Sequence, residues 1–473
     1  MLLNLLIPIA SFAIVSIMGL FMTPFFINNF GYDGLGLISN SNALIQSLFF
    51  AGGAFTTVYA RLYAKAQDIK DREILLIELN KILSFLGLIA LLLSMSLYIY
   101  SISKKNVVFE YYSLTLFAAS IIIICQSFSV FPFAKNKIFI NSLVDCCRTF
   151  LRNAFCLILF YLFVDNIYAN GWAMIISALL SLLMLSILYK ENKLFSFGRI
   201  NFNDNLKNSL WVCLNQGGAY LFSFSDIFLV NFMLGHYIGG VYALLIQIPA
   251  LLKAVSIVAI GSTSSFIVKF NAKYGSDKKI ITKICNQNIL FFSFFISNAF
   301  IIISSYKELL FSLWVPSGVN DLVLEYFDVV CFIMMLLSIT SLINTFLAGW
   351  GFFSFPAKVT LCAAVISLVI ILFLYNLGVS VSIYIIFGVI YLTLILKNII
   401  CFAYFYIVVG LRLHDLIYGF LLCALVILTN LAIVKVIRYC IFDDYMSLSI
   451  IVLVAGVLSI PLLSYFKRLR DYI

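Results

Sequence analysis

The apolar residues of the chain are gathered into long runs, and short polar segments separate these runs. The runs are about twice the ten residues of a membrane β-strand and do not alternate between polar and apolar positions, so they predict helices. A helix needs about 20 apolar residues to cross a bilayer. Runs of about this length lie at 5–27, 36–59, 82–103, 108–131, 143–163, 169–189, 208–232, 238–262, 286–305, 324–347, 359–377, 380–403, 416–437 and 447–466. The last two are the least integral to a core, so we predict twelve to fourteen spans.

The composition excludes a soluble protein. Of the 473 residues, 64% are apolar and 11% are charged, and the mean hydropathy is +1.11. Soluble domains have about 45–50% apolar and about 25% charged residues. A soluble fold of this length cannot bury so much apolar surface. The predicted fold class is therefore an all-α polytopic membrane protein with the lipid bilayer as its surroundings.

The net charge is +10, but the basic residues lie between the apolar runs, as they do in membrane loops. We therefore expect no nucleic-acid partner. With a cytoplasmic N-terminus, 24 of the 30 Lys and Arg residues, Lys397 among them, flank cytoplasmic ends of the runs, and 5 flank the other ends. Cytoplasmic loops carry the excess of basic residues. The sequence predicts a multi-pass protein with both termini in the cytoplasm.

Motifs for metal, disulfide or ATP chemistry do not occur in the sequence. The eleven cysteines are single except for Cys146 and Cys147, and the histidines are His236 and His414. We therefore predict neither a disulfide framework nor a metal site. A Gly-x4-Gly-Lys-Ser/Thr phosphate loop is also missing. We expect a transporter without a cofactor, not an enzyme, driven by an H⁺ or Na⁺ gradient or by consumption of its substrate on the far side.

Two turns of the chain carry the same glycine spacing. Gly31 and Gly36 lie between the first two runs, and Gly235 and Gly240 lie between the seventh and eighth. Both pairs are separated by four residues, and an offset of 204 relates them; the same offset relates Lys65 to Lys269. Since six runs separate the two turns, both copies have the same orientation in the membrane. The pattern predicts two six-helix bundles related by a pseudo-twofold axis along the membrane normal.

This repeat predicts three parts of the chain, namely an N-terminal six-helix bundle at 1–195, a C-terminal six-helix bundle at 196–410 and two additional helices at 411–473. Two bundles that face a central cleft form the architecture of an alternating-access transporter.

The segments Gly19–Leu37 and Ser225–Ala243 resemble the two copies of a motif found in Wzx-type O-antigen flippases. These belong to the polysaccharide-transporter branch of the multidrug/oligosaccharidyl-lipid/polysaccharide (MOP) superfamily, which has a MATE-like fold. The resemblance covers essentially the whole chain in length and span number. The chain departs from the motif at Ile227, where a basic residue is frequent in the family.

The resemblance implies a flippase that moves an undecaprenyl-diphosphate-linked oligosaccharide of the O-antigen type from the cytoplasmic to the periplasmic leaflet of a bacterial inner membrane by alternating access. It also implies a polysaccharide polymerase and a chain-length regulator as partners. Two alternatives stay open at this point. One is a membrane-embedded polysaccharide polymerase or ligase, which the short outside loops disfavour, and the other is a multidrug or small-solute exporter of the same fold.

Cationic groups inside the runs are the first candidates for substrate binding, because intramembrane charges are costly and usually face the bundle interior. Arg148 and Arg152 are spaced i, i+4 and share a helix face, and guanidinium groups suit diphosphate oxygens. Lys253 lies in mid-span, four residues after Pro249. The alternatives are cytoplasmic anchors for the two arginines and a lysine that extends toward the headgroups.

Four further polar residues complete the candidate set. Asp226 lies close in predicted depth to Lys253, so the two either form a structural ion pair or make Asp226 an ion-coupling group. Asn42, Gln46 and Gln247 are candidates for binding sugar hydroxyls, although intramembrane amides also join helices.

Overall fold

The structure is a computed structural model of the chain. It describes residues 2–65, 68–134, 139–163, 166–189, 226–261, 278–316, 318–349, 354–378, 382–409, 413–441, 446–451 and 454. The chain forms two compact units, Met1–Gly240 and Val241–Ile473. The predicted division at residues 195 and 410 stays a prediction.

The first unit consists of helices of very different length and burial. They are α1 (Leu2–Lys65), α2 (Ile69–Lys104), α3 (Val107–Cys125), a short 3₁₀ helix (Gln126–Ser129), α4 (Val130–Ala134), α5 (Phe139–Leu162), α6 (Tyr168–Leu188), helical residues 226–234 and the first turn of α7 (His236–Gly261).

The second unit contains the rest of α7 and a further set of helices. They are α8 (Lys278–Ser305), α9 (Lys307–Trp314), α10 (Asp321–Gly349), α11 (Ser354–Asn376), α12 (Ile383–Val409), α13 (Leu413–Cys440) and helical residues 446–451.

The predicted fold class is confirmed. Within the described ranges, nine helices are long and apolar enough to cross a membrane. The first two predicted spans both lie in α1, and the fifth and thirteenth coincide with α5 and α13, which are not among the nine. Most of the predicted spans at 208–232 and 447–466 lies outside the described residues. Each of the other twelve predicted spans coincides with a helix.

Helix α3 is the central helix of the first unit. Of its most apolar stretch, 78% is buried, and it packs against α1, α2 and α6. Its start is fixed by Asn106, whose side-chain Oδ1 accepts hydrogen bonds from the backbone N–H groups of Val108 at 3.0 Å and Phe109 at 3.4 Å. An asparagine cap satisfies N–H groups that the first helical turn leaves without partners. Lys105 completes the tight α2–α3 connection in a left-handed conformation with φ of 53°.

The first glycine of each of the two turns predicted to be repeats has a positive φ. Gly31 has φ of 68° and interrupts α1, and Gly235 has φ of 87° and precedes α7. Positive φ is readily available to glycine alone. The third landmark of the repeat, at Lys269, lies outside the described residues.

The two turns also touch each other within the first unit, through backbone. A Cβ atom placed on Gly36 would lie 2.0 Å from the carbonyl oxygen of His236, and one placed on Gly240 would lie 1.9 Å from that of Tyr32. Tyr32 and His236 are themselves related by the offset of 204. The contact is therefore locally twofold, and it requires glycine at both crossing positions.

Hydrogen bonds between side chains join helices of the second unit. The Asn430 Nδ2 of α13 donates to Ser297 Oγ of α8 at 2.6 Å, and the Asn398 Nδ2 of α12 donates to Thr340 Oγ1 of α10 at 2.6 Å. All four residues lie within their helices, where lipid offers no alternative partner. These bonds fix the rotation of α12 and α13 about their own axes.

We expect Gly36→Ala to destabilise the protein, because the added methyl group would overlap a backbone oxygen that cannot move without shifting α7. Overpacking of this kind costs about 1–3 kcal/mol. The matched control is Gly19→Ala in the same helix, where nothing lies within 4 Å of the added Cβ. Thermal unfolding of the purified full-length protein checks this, and a Gly36→Ala protein as stable as Gly19→Ala would contradict the described crossing.

Candidate functional site

A polar layer crosses the first unit at the level of Arg152. Helix α5 directs Asn153, Cys156 and Phe160 into the unit at helical spacing. Arg152 is the neighbour of Asn153 and is half-buried. The layer is completed by asparagines of α1 and α6 and by two tyrosines of α3. Helix α3 is apolar on nearly all sides, and its two tyrosines supply hydroxyl groups to the layer.

The Arg152 guanidinium has only neutral partners. Its Nη1 donates to Asn42 Oδ1 at 3.3 Å, and its Nε donates to Asn153 Oδ1 at 3.4 Å. Both distances exceed the usual 2.7–3.2 Å range. No carboxylate among the described residues pairs with Arg152. Since a guanidinium carries five N–H donors, most of its hydrogen-bonding capacity is unused.

The two tyrosines of the layer, Tyr111 and Tyr112, accept hydrogen bonds from asparagine side chains. Asn170 Nδ2 donates to the Tyr111 hydroxyl at 2.7 Å, and Asn40 Nδ2 donates to the Tyr112 hydroxyl at 2.7 Å. Tyr111 is fully buried and interacts electrostatically with Arg152. These bonds join α3 to α6 and to α1, so they hold the two tyrosine hydroxyls in place near Arg152.

Within the described structure, the side chains of Asn40 and Asn153 each keep one buried atom without a hydrogen-bond partner. These atoms are Asn40 Oδ1, an acceptor, and Asn153 Nδ2, a donor. Buried polar groups in native proteins are nearly always hydrogen-bonded to protein or to ordered water. A cation that has no counter-ion among the described residues, a free donor and a free acceptor together fit a ligand that is both anionic and hydroxylated.

Arg148, the other predicted arginine, has its own counter-ion. Its Nη2 lies 2.9 Å from Asp145 Oδ1, one turn earlier on α5, and its guanidinium lies 6.0 Å from the centre of the Phe49 ring. The two arginines predicted to act together therefore differ in electrostatic environment. Substrate binding by Arg148 stays a prediction.

Asn42 and Gln46, both candidates for binding sugar hydroxyls, lie in different environments. Asn42 accepts a hydrogen bond from Arg152, whereas Gln46 lies on an exposed part of α1. Their i, i+4 spacing on α1 places them on one side of the helix, but only Asn42 is at the level where α5 approaches. A role for Gln46 in substrate binding stays a prediction.

The remaining candidates fall in both units. Asp226 belongs to the first unit and is buried, and its Oδ1 accepts a hydrogen bond from the Ile227 backbone N–H at 2.8 Å. Lys253 and Gln247 belong to the second unit, where they are half-buried on α7. Each of the three makes further interactions. The pairing of Asp226 with Lys253, and the roles of all three, stay predictions.

The sequence reasoning missed several residues of the layer. Tyr111 and Tyr112 were indistinguishable from the many aromatic residues that pack in lipid, and Asn153 and Asn170 stood alone in apolar runs. The assignment of Lys397 to a cytoplasmic flank is wrong, because this residue lies in the middle of α12 and is buried. In the part of the chain that the structure describes, no cluster of His, Cys, Asp and Glu forms a metal site.

No family model matches the chain. A curated relative, the uncharacterized membrane protein EpsK of Bacillus subtilis (strain 168), is 25% identical over 288 residues, which are 57% of this chain. The chain spans about half, 55%, of the length of this relative.

Solved structures match over far more of the chain. The lipid II flippase MurJ in an inward closed conformation is 16% identical with a TM-score of 0.73, over 98% of this chain and 99% of that one. An inward-facing multidrug resistance MATE family transporter of the MOP superfamily is 12% identical with a TM-score of 0.67, over 86% and 98%. The chain therefore has the helical fold of these two solved structures, and membership of the MOP superfamily and of its polysaccharide branch stays a prediction.

We expect Arg152→Met to stabilise the protein in the absence of substrate, because it removes a charge that has no counter-ion in the part of the chain that the structure describes. Replacing buried charges with apolar groups often stabilises by about 1–4 kcal/mol. The comparison variant, Arg148→Met, breaks a half-exposed ion pair, and we expect it to be neutral or to destabilise by less than about 1 kcal/mol. Thermal unfolding in detergent measures both. A destabilised Arg152→Met protein would identify Arg152 as a structural group.

Proposed function

We propose that the chain is a flippase that moves a polyprenyl-diphosphate-linked oligosaccharide from the cytoplasmic to the outer leaflet of a bacterial inner membrane. The observation that carries the proposal is the half-buried Arg152 guanidinium, which has neutral partners and no counter-ion among the described residues. In this proposal the diphosphate supplies the missing negative charge.

The physical problem of flipping explains why such a group would be needed. A diphosphate with attached sugars cannot enter hydrocarbon without a very large desolvation cost, whereas its polyprenyl tail can stay in lipid. A guanidinium binds phosphate oxygens through two parallel hydrogen bonds, which fixes the headgroup as well as neutralising it. Sugar hydroxyls are both donors and acceptors, and they match the free Asn40 Oδ1 and Asn153 Nδ2.

The positive charge of Arg152 disfavours export of cationic small solutes as the function. A cationic drug would be repelled by Arg152, and the polar layer offers amides and hydroxyls instead of carboxylates. The similarity to a structure named as a lipid II flippase, over 98% of this chain, supports the same choice. An exporter of anionic solutes on the same fold is the alternative that the experiment must exclude.

The remaining candidate residues have defined places in the proposal. Arg148, Lys253, Gln247 and Gln46 would contact the headgroup at other stages of an alternating-access cycle. Asp226 would bind the coupling H⁺ or Na⁺. Both termini would be cytoplasmic, and a polysaccharide polymerase and a chain-length regulator would receive the product.

Binding of undecaprenyl diphosphate to the purified full-length protein in nanodiscs tests the proposal. We expect Arg152→Met to weaken binding about tenfold or more, since a hydrogen bond to a charged group contributes about 1.5–3 kcal/mol. Arg72→Met, outside the layer, is the control with the same change and should bind like the wild type. Native mass spectrometry measures the binding, with undecaprenol and inorganic diphosphate as competitors. Undecaprenol tests how much the tail contributes to binding, and inorganic diphosphate tests how much the charge contributes.

Three results would contradict the proposal. Equal binding of undecaprenol would show that the phosphates are not recognised, and wild-type binding by Arg152→Met would remove the assigned site. Binding of inorganic diphosphate as tightly as of the lipid would favour an exporter of soluble anions.

A further inference from the structure

Lys397 lies at the centre of a membrane helix. It follows Ile383 by fourteen residues and precedes Val409 by twelve, so about 20 Å of α12 separates it from either end. Its side chain is 9% exposed. The hydrocarbon core is about 30 Å thick, so a residue at the middle of a span is about 15 Å from either surface, and a lysine side chain extends only about 6 Å. The positive-inside pattern therefore does not account for it.

The Lys397 amine makes no hydrogen bond and no ion pair within the described structure. Its one electrostatic neighbour is Cys401, one turn later on α12. The adjacent Asn398 donates to Thr340 Oγ1, which holds α12 in place against α10. The other polar atom of that amide, Asn398 Oδ1, is buried and without a hydrogen-bond partner.

The charged groups of the neighbouring helices lie at other levels along their helices than Lys397. Thr340 marks the level of Lys397 on α10, and the acidic residues of that helix are at least twelve residues, or about 18 Å, away. On α11 the closest such groups by position are exposed, and on α13 they lie near the ends. The charged or basic residues of these helices are Asp321, Glu325, Asp328, Lys358, His414, Asp415, Lys435 and Arg438. Their neutral titratable residues are Tyr326, Cys331, Cys362, Tyr375, Tyr418, Cys423, Tyr439 and Cys440.

A permanently charged ammonium at this position would be costly, because neither lipid nor the surrounding side chains compensate it. An anion would compensate it, but the free polar atom beside it is an acceptor oxygen, which repels anions and suits an N–H donor. We propose that Lys397 is a proton-binding site of the second unit, an amine that takes up and releases a proton in the course of transport.

The proton transfer involves no other reactant. A hydronium ion from water that enters the helix bundle gives its proton to the amine lone pair, which yields an ammonium and a neutral water molecule; the reverse step returns the amine and a hydronium ion. Asn398 Oδ1 is the nearest acceptor for the new N–H groups. The site is separate from Arg152, which lies in the first unit, and it does not depend on the identity of the transported molecule.

The pH dependence of thermal unfolding tests this site on the full-length protein in nanodiscs. At about pH 6 the lysine of the unfolded chain is an ammonium exposed to water. The folded wild type must either bury this ammonium or release its proton, and both lower the free energy of unfolding. Lys397→Met removes this difference, so it should raise the melting temperature by about 3 °C or more at pH 6 and by clearly less at about pH 9.5.

Two further variants make the result decisive. Lys358→Met, an exposed lysine on α11, should shift the melting temperature equally at both pH values. Lys397→Arg keeps its charge at every pH, so its melting temperature should lie below that of Lys397→Met by about the same amount at both pH values. A shift for Lys397→Met that is independent of pH, or absent, would overturn the proposal.

Proton movement is the second measurement. When proteoliposomes on a solid-supported membrane receive a pH step, the wild type and Lys358→Met should give a transient charge displacement, and Lys397→Met should lose most of it. An unchanged displacement in Lys397→Met would assign the proton to another group, with no consequence for undecaprenyl diphosphate binding at Arg152.

Discussion

The absence of hydrogen-bond partners and counter-ions in hydrocarbon is the constraint on which the structure depends. It makes every polar side chain inside the helices informative, because each must be satisfied by another helix or by something that the protein binds. Asn170 with Tyr111, and Asn430 with Ser297, are satisfied between helices and hold the fold together. Arg152 has only long contacts to neutral amides, and the Lys397 amine has no contact of this kind in the described structure. The same constraint thus separates the groups that build each unit from those that we propose to serve transport.

Helix positions could be predicted from the sequence because hydrocarbon thickness sets the length of an apolar run. The run at 169–189 and helix α6 at Tyr168–Leu188 differ by one residue at each end. The rotation of a helix about its axis could not be predicted in the same way. Helix α3 is apolar nearly all round, so its sequence does not reveal that Tyr111 and Tyr112 meet asparagines. Helix α5 is less uniform, and there its charged residues did indicate the side that faces other helices.

The candidate site was predictable only where residues carry unusual chemistry. Arg152 and Asn42 stood out separately as polar groups within apolar runs, but their contact depends on how α1 and α5 approach each other, which no spacing within one helix encodes. Lys397 was misassigned because cations near the ends of runs and cations within them look alike when the ends are uncertain by a few residues. The glycine repeat was recognisable because its local cause, a positive φ followed by a close helix crossing, acts within six residues.

The burial of α3 has a consequence for how the protein responds to its membrane. Large apolar side chains of α2 and α6, such as Leu92 and Leu183, are exposed, whereas α3 is enclosed by its neighbours. A thinner or thicker bilayer is accommodated by tilting the helices that lipid touches. Tyr111 and Tyr112, the tyrosines near Arg152, belong to this enclosed helix. Hydrophobic mismatch should therefore affect them little, and their geometry should tolerate changes in acyl-chain length that displace the outer helices.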